Sequence, residues 1–324
     1  LITGGAGLIG SSLAIITHQQ GCDVSILDNL STGLQSTANE LENLGIKVII
    51  GDIRDQGLLH NTLTGFTAVV HLAAQVSVPV SVKNPEETME INVKGTQNVI
   101  QACLENSVQR LVIASSAAVY GEADNLPLKE EDAGNVLSPY ADSKWTNEQQ
   151  IFDARQQGLQ ATALRFFNVY GAGQRPDGAY AAVIPKFADM MAKVVAPKIN
   201  GDGLHTRDFV HVDDVSNAIM TLVDGEWKAE QHHVYNVATQ TKITLLDLVA
   251  EINDSLTKLV SDFKPLIPTH GPERIGDIRH SMASITRIST TLDWIPSKDF
   301  KQGIHELVLE RIKFCLLYTS DAAD

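Results

Sequence analysis

The chain has 324 residues, 44% hydrophobic and 20% charged, with a formal net charge of −14. That length suits one large α/β domain plus a smaller lobe, and the charge repels nucleic acid and anionic membranes at long range. No apolar run reaches the roughly 18 residues of a membrane span, and three cysteines without CxxC spacing suit a reducing compartment. A cytoplasmic enzyme is expected, with no metal, nucleic-acid or membrane partner.

In chain order, β-rich apolar runs predict strands at Leu1–Thr3, Asp23–Asp28, Lys47–Gly51, Ala68–Leu72, Arg110–Ser115 and Ala161–Phe166. Helical patterns fall at Leu8–Gln20, Glu86–Glu105 and Pro139–Gln156. This alternation predicts a Rossmann-type, doubly wound parallel sheet over residues 1–168. After Asn168, Gly and Pro punctuate shorter elements. Strands at Phe209–Val212 and Val234–Val237 and helices at Asp213–Val223 and Leu245–Val260 suggest a smaller α/β lobe over 169–314, with the chain crossing back to the first domain. Trp294 is expected to pack that lobe. The first strand reads as clipped, and residues 315–324 resemble the translation of a transposase-based sequencing adaptor.

Thr3-Gly4-Gly5-Ala6-Gly7-Leu8-Ile9-Gly10 spaces its glycines between a strand and a helix. Such a turn brings backbone N–H groups close to a pyrophosphate at the helix N-terminus. Asp28, 18 residues after Gly10, ends the second strand where a carboxylate meets the ribose hydroxyls. It would repel a 2′-phosphate, and Asn29 to Ala38 contains no Lys or Arg to hold one, so NAD is expected rather than NADP. Asp52, after the third strand, is placed to meet the adenine amino group. Leu72, Ala73 and Ala74 leave room for the cofactor, and His71 reads as structural.

Tyr140 and Lys144 share one helix face at i,i+4, and Ser116 follows the fifth strand at the crevice where parallel sheets bind ligands. A tyrosine with an ordinary pKa of about 10 needs about 4 kcal/mol of help to act as a base near neutrality. Lys144 and a positive nicotinamide ring are expected to favour its phenolate. Ser116 would hydrogen-bond the reacting hydroxyl.

With these motifs, Asn92-Val93-Lys94-Gly95-Thr96 and Ser138–Lys144, the chain resembles the extended short-chain dehydrogenase/reductases, and among them the nucleotide-sugar epimerases. The resemblance adds Leu8, Ile9, Asn29, Ser31, Gly33, Ile53 and Asn92 to the cofactor site. It also implies a homodimer packed through the helices around Glu86–Glu105 and Pro139–Gln156. Ala163–Gly171, Gly178–Lys186 and Ile199–Gly203 resemble segments that hold UDP, which implies roles for Asn168, Ala182, Val183, Lys186 and Asn200. Arg207 and Arg274 would pair with the diphosphate through guanidinium forks, and Asp277 would meet the uridine ribose.

Gly178–Lys186 and Arg274–Ser281 are most similar to UDP-N-acetylglucosamine 4-epimerases, with UDP-glucose 4-epimerases close by. Ser281 holds the position that borders the sugar's C2 substituent, and its small side chain leaves space for an N-acetyl group. Ser77 is a further sugar contact. A 4,6-dehydratase needs an acid–base pair where Ala117 and Ala118 stand. A UDP-glucuronate 4-epimerase would use Arg279 against a C6 carboxylate. A non-catalytic NAD-binding module is opposed by the presence of both Tyr140 and Lys144.

Overall fold

The computed structural model describes residues 1–123, 125–177, 182–228, 231–273 and 278–320, the side chains of 314–320 excepted. The chain opens with β1 (Ile2–Thr3), α1 (Leu8–Gln19), β2 (Ser25–Asp28), α2 (Gln35–Asn43), β3 (Lys47–Ile50), α3 (Gln56–Leu63) and β4 (Ala68–His71). Next come α4 (Val78–Lys83), α5 (Pro85–Met89), a π-helical turn (Glu90–Lys94), α6 (Gly95–Glu105), β5 (Arg110–Ser116), α7 (Pro139–Gln156) and β6 (Gln160–Phe166). The later part contains β7 (Asn168–Tyr170), α8 (Val183–Ala192), β8 (Lys198–Asn200), β9 (Thr206–Arg207), β10 (Phe209–His211), α9 (Val212–Asp224) and β11 (Val234–Val237). It ends with β12 (Ile243–Thr244), α10 (Leu245–Leu259), β13 (Thr269–Gly271), α11 (Thr286–Leu292) and α12 (Phe300–Ser320).

Two compact units result. The first joins Leu1–Phe167, Val212–Val237 and Ser284–Ile295, and the second joins Asn168–His211, Ala238–Ala283 and Pro296–Asp324. Trp294 therefore belongs to the first unit, not to the lobe expected from the sequence. The nearly complete sequence break at Asn168 hides the return of this segment, because no local pattern records which core a lone tryptophan joins.

The first unit is built on a parallel sheet in the order β11-β6-β5-β4-β1-β2-β3, the Rossmann order with one added strand. Its strands run as nearly continuous apolar stretches because helices cover both faces. Leu27, Leu59, Leu63, Val69, Leu111 and Ile113 lie in one buried cluster, each contributing about 1.5–3 kcal/mol. The strand order reverses between β4 and β1, which opens a crevice at the carboxyl ends. The second unit has its own core, in which Ile184, Phe187, Met191, Leu248, Ile252, Ile304 and Leu307 meet. Among the described residues, no helix is long and apolar enough to cross a membrane.

The helix expected over Glu86–Glu105 is interrupted by the π turn Glu90–Lys94. The extra residue in that turn is invisible to an apolar count but turns Asn92 inward, where it is almost wholly buried. Helices α2 and α3 escape the sequence reading because they are short and largely polar. A cap marks α3, since the Asp55 carboxylate accepts from Leu58 N.

Beneath the crevice lies a buried ion pair. Arg165 of β6 donates from Nε and Nη2 to the two oxygens of Glu148 on α7, at 2.8 and 2.7 Å. Its Nη1 reaches Tyr120 Oη at 2.9 Å and Glu130 O at 2.7 Å. Tyr120 in turn donates to Asn236 Oδ1 on β11 at 2.6 Å. Arg165→Met should destabilise the protein by about 3–5 kcal/mol in chemical denaturation, because it leaves a buried carboxylate without its counter-charge. Adding Glu148→Leu should recover most of that loss. A single-variant cost no larger than that of a surface substitution would count against a dry, tightly coupled pair.

Candidate functional site

The crevice is a groove of about 600 Å³ within the first unit. At one end it meets Gly4, Gly7, Ile9 and Gly10, with Asp28, Asn29, Ser31, Asp52 and Ile53 alongside. Leu72, Ala73, Ala74 and Ser77 form its floor, and Ser116, Tyr140 and Lys144 close the far end. The turn after β1 needs its glycines. Gly4 has φ +68, and a Cβ there would lie 2.6 Å from Ala73 N. A Cβ on Gly10 would come within 2.3 Å of Gly4 O. On Gly7 it would meet only Gly4 O, at 3.4 Å, so this backbone faces open space at the N-terminus of α1. Gly7 caps that helix without a side chain, leaving first-turn N–H groups for an anion. Leu8 begins α1, outside the groove lining.

Asp28 lines the groove at its glycine end. Its Oδ2 accepts from Ala6 N at 2.9 Å and its Oδ1 from Leu30 N at 2.8 Å, which fixes the carboxylate against the glycine turn. Gly33 closes over it, since a Cβ there would sit 3.0 Å from Asp28 Oδ1. Asp52 lines the groove and is already hydrogen-bonded within the protein. Its Oδ1 accepts from Arg54 N and Nε, and its Oδ2 from Arg54 Nη2 and Asn29 Nδ2. The Arg54 hydrogen bonds hold this carboxyl well below the usual carboxylate range. Four donors fill its acceptor sites, so an adenine amino group would have to displace one of them.

At the other end, Tyr140 and Ser116 line the groove together. Lys144 Nζ donates to Ala114 O at 2.9 Å. Burial pushes the Tyr140 phenol up, and the Ser116 hydroxyl draws it back. Burial also lowers Lys144 to about 8. The polypeptide alone thus leaves Tyr140 a phenol, and the phenolate expected from the sequence needs a further positive charge. Ser138 caps α7 through Ala141 N, and Pro139 follows at the helix start. The buried face of this helix is Tyr140, Ala141, Ser143, Lys144, Asn147, Glu148, Ile151 and Ala154, mostly polar.

Two residues act behind the groove. His71 is pushed down to about 3, chiefly by burial and then by Lys144, so it is neutral. Thr96 Oγ1 donates to Asn92 O at 2.6 Å and must accept from His71 Nε2, at 3.0 Å. Nδ1 therefore accepts from Thr3 Oγ1 at 2.7 Å. Asn92, expected to touch the cofactor, has its amide N–H groups on Gln75 O and Ser143 Oγ and its Oδ1 on Gln75 N. It braces the groove from behind, while Ile91 and Glu87 line the wall. Ser77 lines the groove and also caps α4 through Val80 N.

The remaining expected residues that the structure describes lie in the second unit. Asn168 N and Nδ2 both donate to Asp208 O. The segment bearing Ser281 is pinned beside Arg207 by Thr206 N to Arg279 O at 2.9 Å and Ser281 N to Thr206 O at 3.2 Å. The buried Asp208 carboxylate completes this brace by accepting from Ala283 N at 3.1 Å and Thr239 N at 2.8 Å. Asn200 ends β8, while Ala182, Val183 and Lys186 sit at the start of α8, Ala182 and Lys186 exposed. Arg279 is paired with Asp202 at 2.6 Å and Glu273 at 3.2 Å. Arg274 and Asp277 lie outside the described residues.

Residues 1–238 match the NAD dependent epimerase/dehydratase family. The chain belongs to that family. A Methanocaldococcus jannaschii protein provisionally named UDP-glucose 4-epimerase is 37% identical, over 95% of this chain and 96% of its own length. The structure of UDP-N-acetylglucosamine 4-epimerase from Methanobrevibacter ruminantium M1, in complex with UDP-N-acetylmuramic acid, has a TM-score of 0.89 and 34% identity, covering 97% of each chain. That of the Thermus thermophilus UDP-glucose 4-epimerase, complexed with NAD, has a TM-score of 0.83 and 31% identity, covering 96% of this chain and 97% of the other.

As a member of this family the protein is an NAD-dependent enzyme, and the glycine cradle with its fixed Asp28 fits that cofactor. The sequence reading missed Arg54, which pairs with Asp52 two residues away, and Gln75, Ser143 and Thr96, whose partners Asn92 and His71 lie farther along the chain. In Gly10→Ala the added Cβ would collide with Gly4 O, at 2.3 Å, so the purified variant should retain NAD at less than about a tenth of wild-type occupancy. Nicotinamide released on denaturation measures this, and full occupancy would show that the turn does not hold the cofactor.

Proposed function

We propose that the enzyme interconverts C4 epimers of a UDP-hexose, with the UDP-N-acetylglucosamine and UDP-N-acetylgalactosamine pair as preferred substrates. The observation behind this reading is the Ser116–Tyr140–Lys144 group closing one end of a groove whose other end holds Asp28. NAD, when bound, supplies a reversible hydride acceptor for C4, and its charged nicotinamide ring adds the positive charge that Tyr140 lacks in the polypeptide alone. Ser116 Oγ orients the C4 hydroxyl, and Tyr140 Oη removes its proton as the C4 hydride departs, leaving a 4-keto sugar. After the sugar turns over, Tyr140 Oη would give the proton back to the C4 oxygen, with bound NAD supplying the hydride for the opposite face. Atoms and electrons balance without a second oxidant.

Asn168, Asn200, Lys186 and Arg207 hold the UDP in this reading, together with Arg274 and Asp277. Ser281 leaves space for the N-acetyl group. A dehydratase is disfavoured because Ala117 and Ala118, which open the 3-10 turn after Ser116, carry no proton-transferring group. A uronate is disfavoured because Arg279 is already paired with two carboxylates. A cytoplasmic homodimer packed through α6 and α7 belongs to the same reading, and analytical ultracentrifugation tests it.

Incubation with UDP-N-acetylglucosamine and no added cofactor should yield UDP-N-acetylgalactosamine on ion-pair chromatography. Conversion of UDP-glucose alone would overturn the role given to Ser281, and conversion of neither by folded, NAD-loaded protein would overturn the epimerase reading. Tyr140→Phe should lower kcat by about 10²–10⁴-fold. The Lys144 ammonium is present below about 8 and lost as pH rises through that value. The rate should therefore fall on the alkaline side near pH 8, and Lys144→Arg should move that limb to higher pH. A limb left in place by Lys144→Arg would assign it to another group.

A further inference from the structure

Tyr140, Lys144 and Glu148 stand at i, i+4 and i+8 on the buried face of α7. All three meet the last residues of β5. Tyr140 closes the groove together with Ser116, Lys144 Nζ donates to Ala114 O at 2.9 Å, and Ser115 Oγ donates to Glu148 Oε1 at 2.5 Å. Ser115 is the register partner of Arg165 on β6, and Arg165 holds the same carboxylate at 2.8 and 2.7 Å. One carboxylate thus grips two neighbouring strands at the height of the redox group, yet Glu148 does not line the groove.

We propose that Glu148 is a positioning residue of the redox site, setting the height of α7 along β5 so that Tyr140 Oη meets Ser116 Oγ. The inference rests on the role given to Tyr140 in the epimerase reading. The physical reason is geometric. The Lys144 contact is a single bond at the end of a flexible four-carbon stem, which can follow a small slide of the helix. The Ser115–Glu148–Arg165 contact is between side chains on three elements, short and almost fully buried, and a slide would break all of its bonds together. A displacement of about 1 Å in a reacting group costs on the order of 100-fold in rate.

The test uses NAD-loaded Ser115→Ala, which deletes one donor, and Ser115→Thr, which restores a hydroxyl. Ser115→Ala should lower kcat about tenfold or more with KM within about twofold of wild type and unchanged NAD content, and Ser115→Thr should recover most of the rate. A lower melting temperature with kcat unchanged overturns the proposal, and so does a parallel rise in KM.

A second readout needs no turnover. The carbon-13 Cζ resonance of Tyr140, assigned through Tyr140→Phe, should titrate at higher pH in Ser115→Ala, because the Ser116 hydroxyl lowers that pKa. A titration that stays at its wild-type position overturns the proposal whatever happens to the rate. This readout also decides the matter if the wild-type protein epimerises nothing, which would sink the epimerase reading alone. Should Ser115→Ala fail to fold, Ser115→Cys, similar in size but only a weak donor, is carried through the same measurements, with the same results supporting or overturning the proposal.

Discussion

The contact on which the rest of the first unit depends is the one between Arg165 and Glu148. Both side chains are almost wholly buried, at 2% and 1% exposure, where an unpaired charge would not be tolerated. Each is satisfied by more than the other. The guanidinium also reaches Tyr120 and Glu130 O and lies over the Tyr120 ring at 5.0 Å, while the carboxylate accepts from Ser115. Tyr120 passes the chain of bonds to Asn236, whose amide donates to Leu128 O and Ser284 O. Strands β5, β6 and β11, helix α7 and the loops after β5 are therefore fixed to one another by polar groups with specific directions. A purely apolar core of the same volume would leave those directions open.

The cofactor end follows a related logic with the opposite sign of charge. Asp28 has no basic partner among its described hydrogen bonds and is held by the backbone N–H groups of Ala6 and Leu30. Main-chain donors orient the acid without pairing it to a cation. His71 illustrates the same economy. Held neutral between Thr3 and Thr96, it joins β1, β4 and the start of α6 without placing a second cation beside Lys144.

Much of this was legible in the sequence, and the reasons are local. Gly10 is required by a close approach to Gly4 O within the same turn, Gly4 shares that turn though it is crowded by the distant Ala73, and Asp28 stands at a fixed distance along the same strand–helix–strand unit. Tyr140 and Lys144 are visible because a helix turns their spacing into a shared face. Asn92 shows where that logic stops. Its position was recognisable, but its task is set by a π turn and by Gln75 and Ser143, and no pattern in the chain announces such a turn. The surroundings of Asp52 were hidden for a similar reason, since Arg54 two residues on occupies its lone pairs. Glu148 extends the Tyr140–Lys144 spacing by one more turn. Its meaning emerges only when Ser115 and Arg165 are seen as register partners on adjacent strands.

The first unit is assembled from three separate stretches of chain, which has a consequence for synthesis on the ribosome. When residue 167 leaves the exit tunnel, β6 has no neighbour on its outer side, because β11 has yet to be translated. Tyr120 and Glu130 then wait for Asn236, and an apolar strand edge stays open to other nascent chains. The polypeptide must be nearly finished before its cofactor half can close. Chaperone dependence should therefore concentrate in the interval between the emergence of β6 and the arrival of β11, rather than spread evenly along translation.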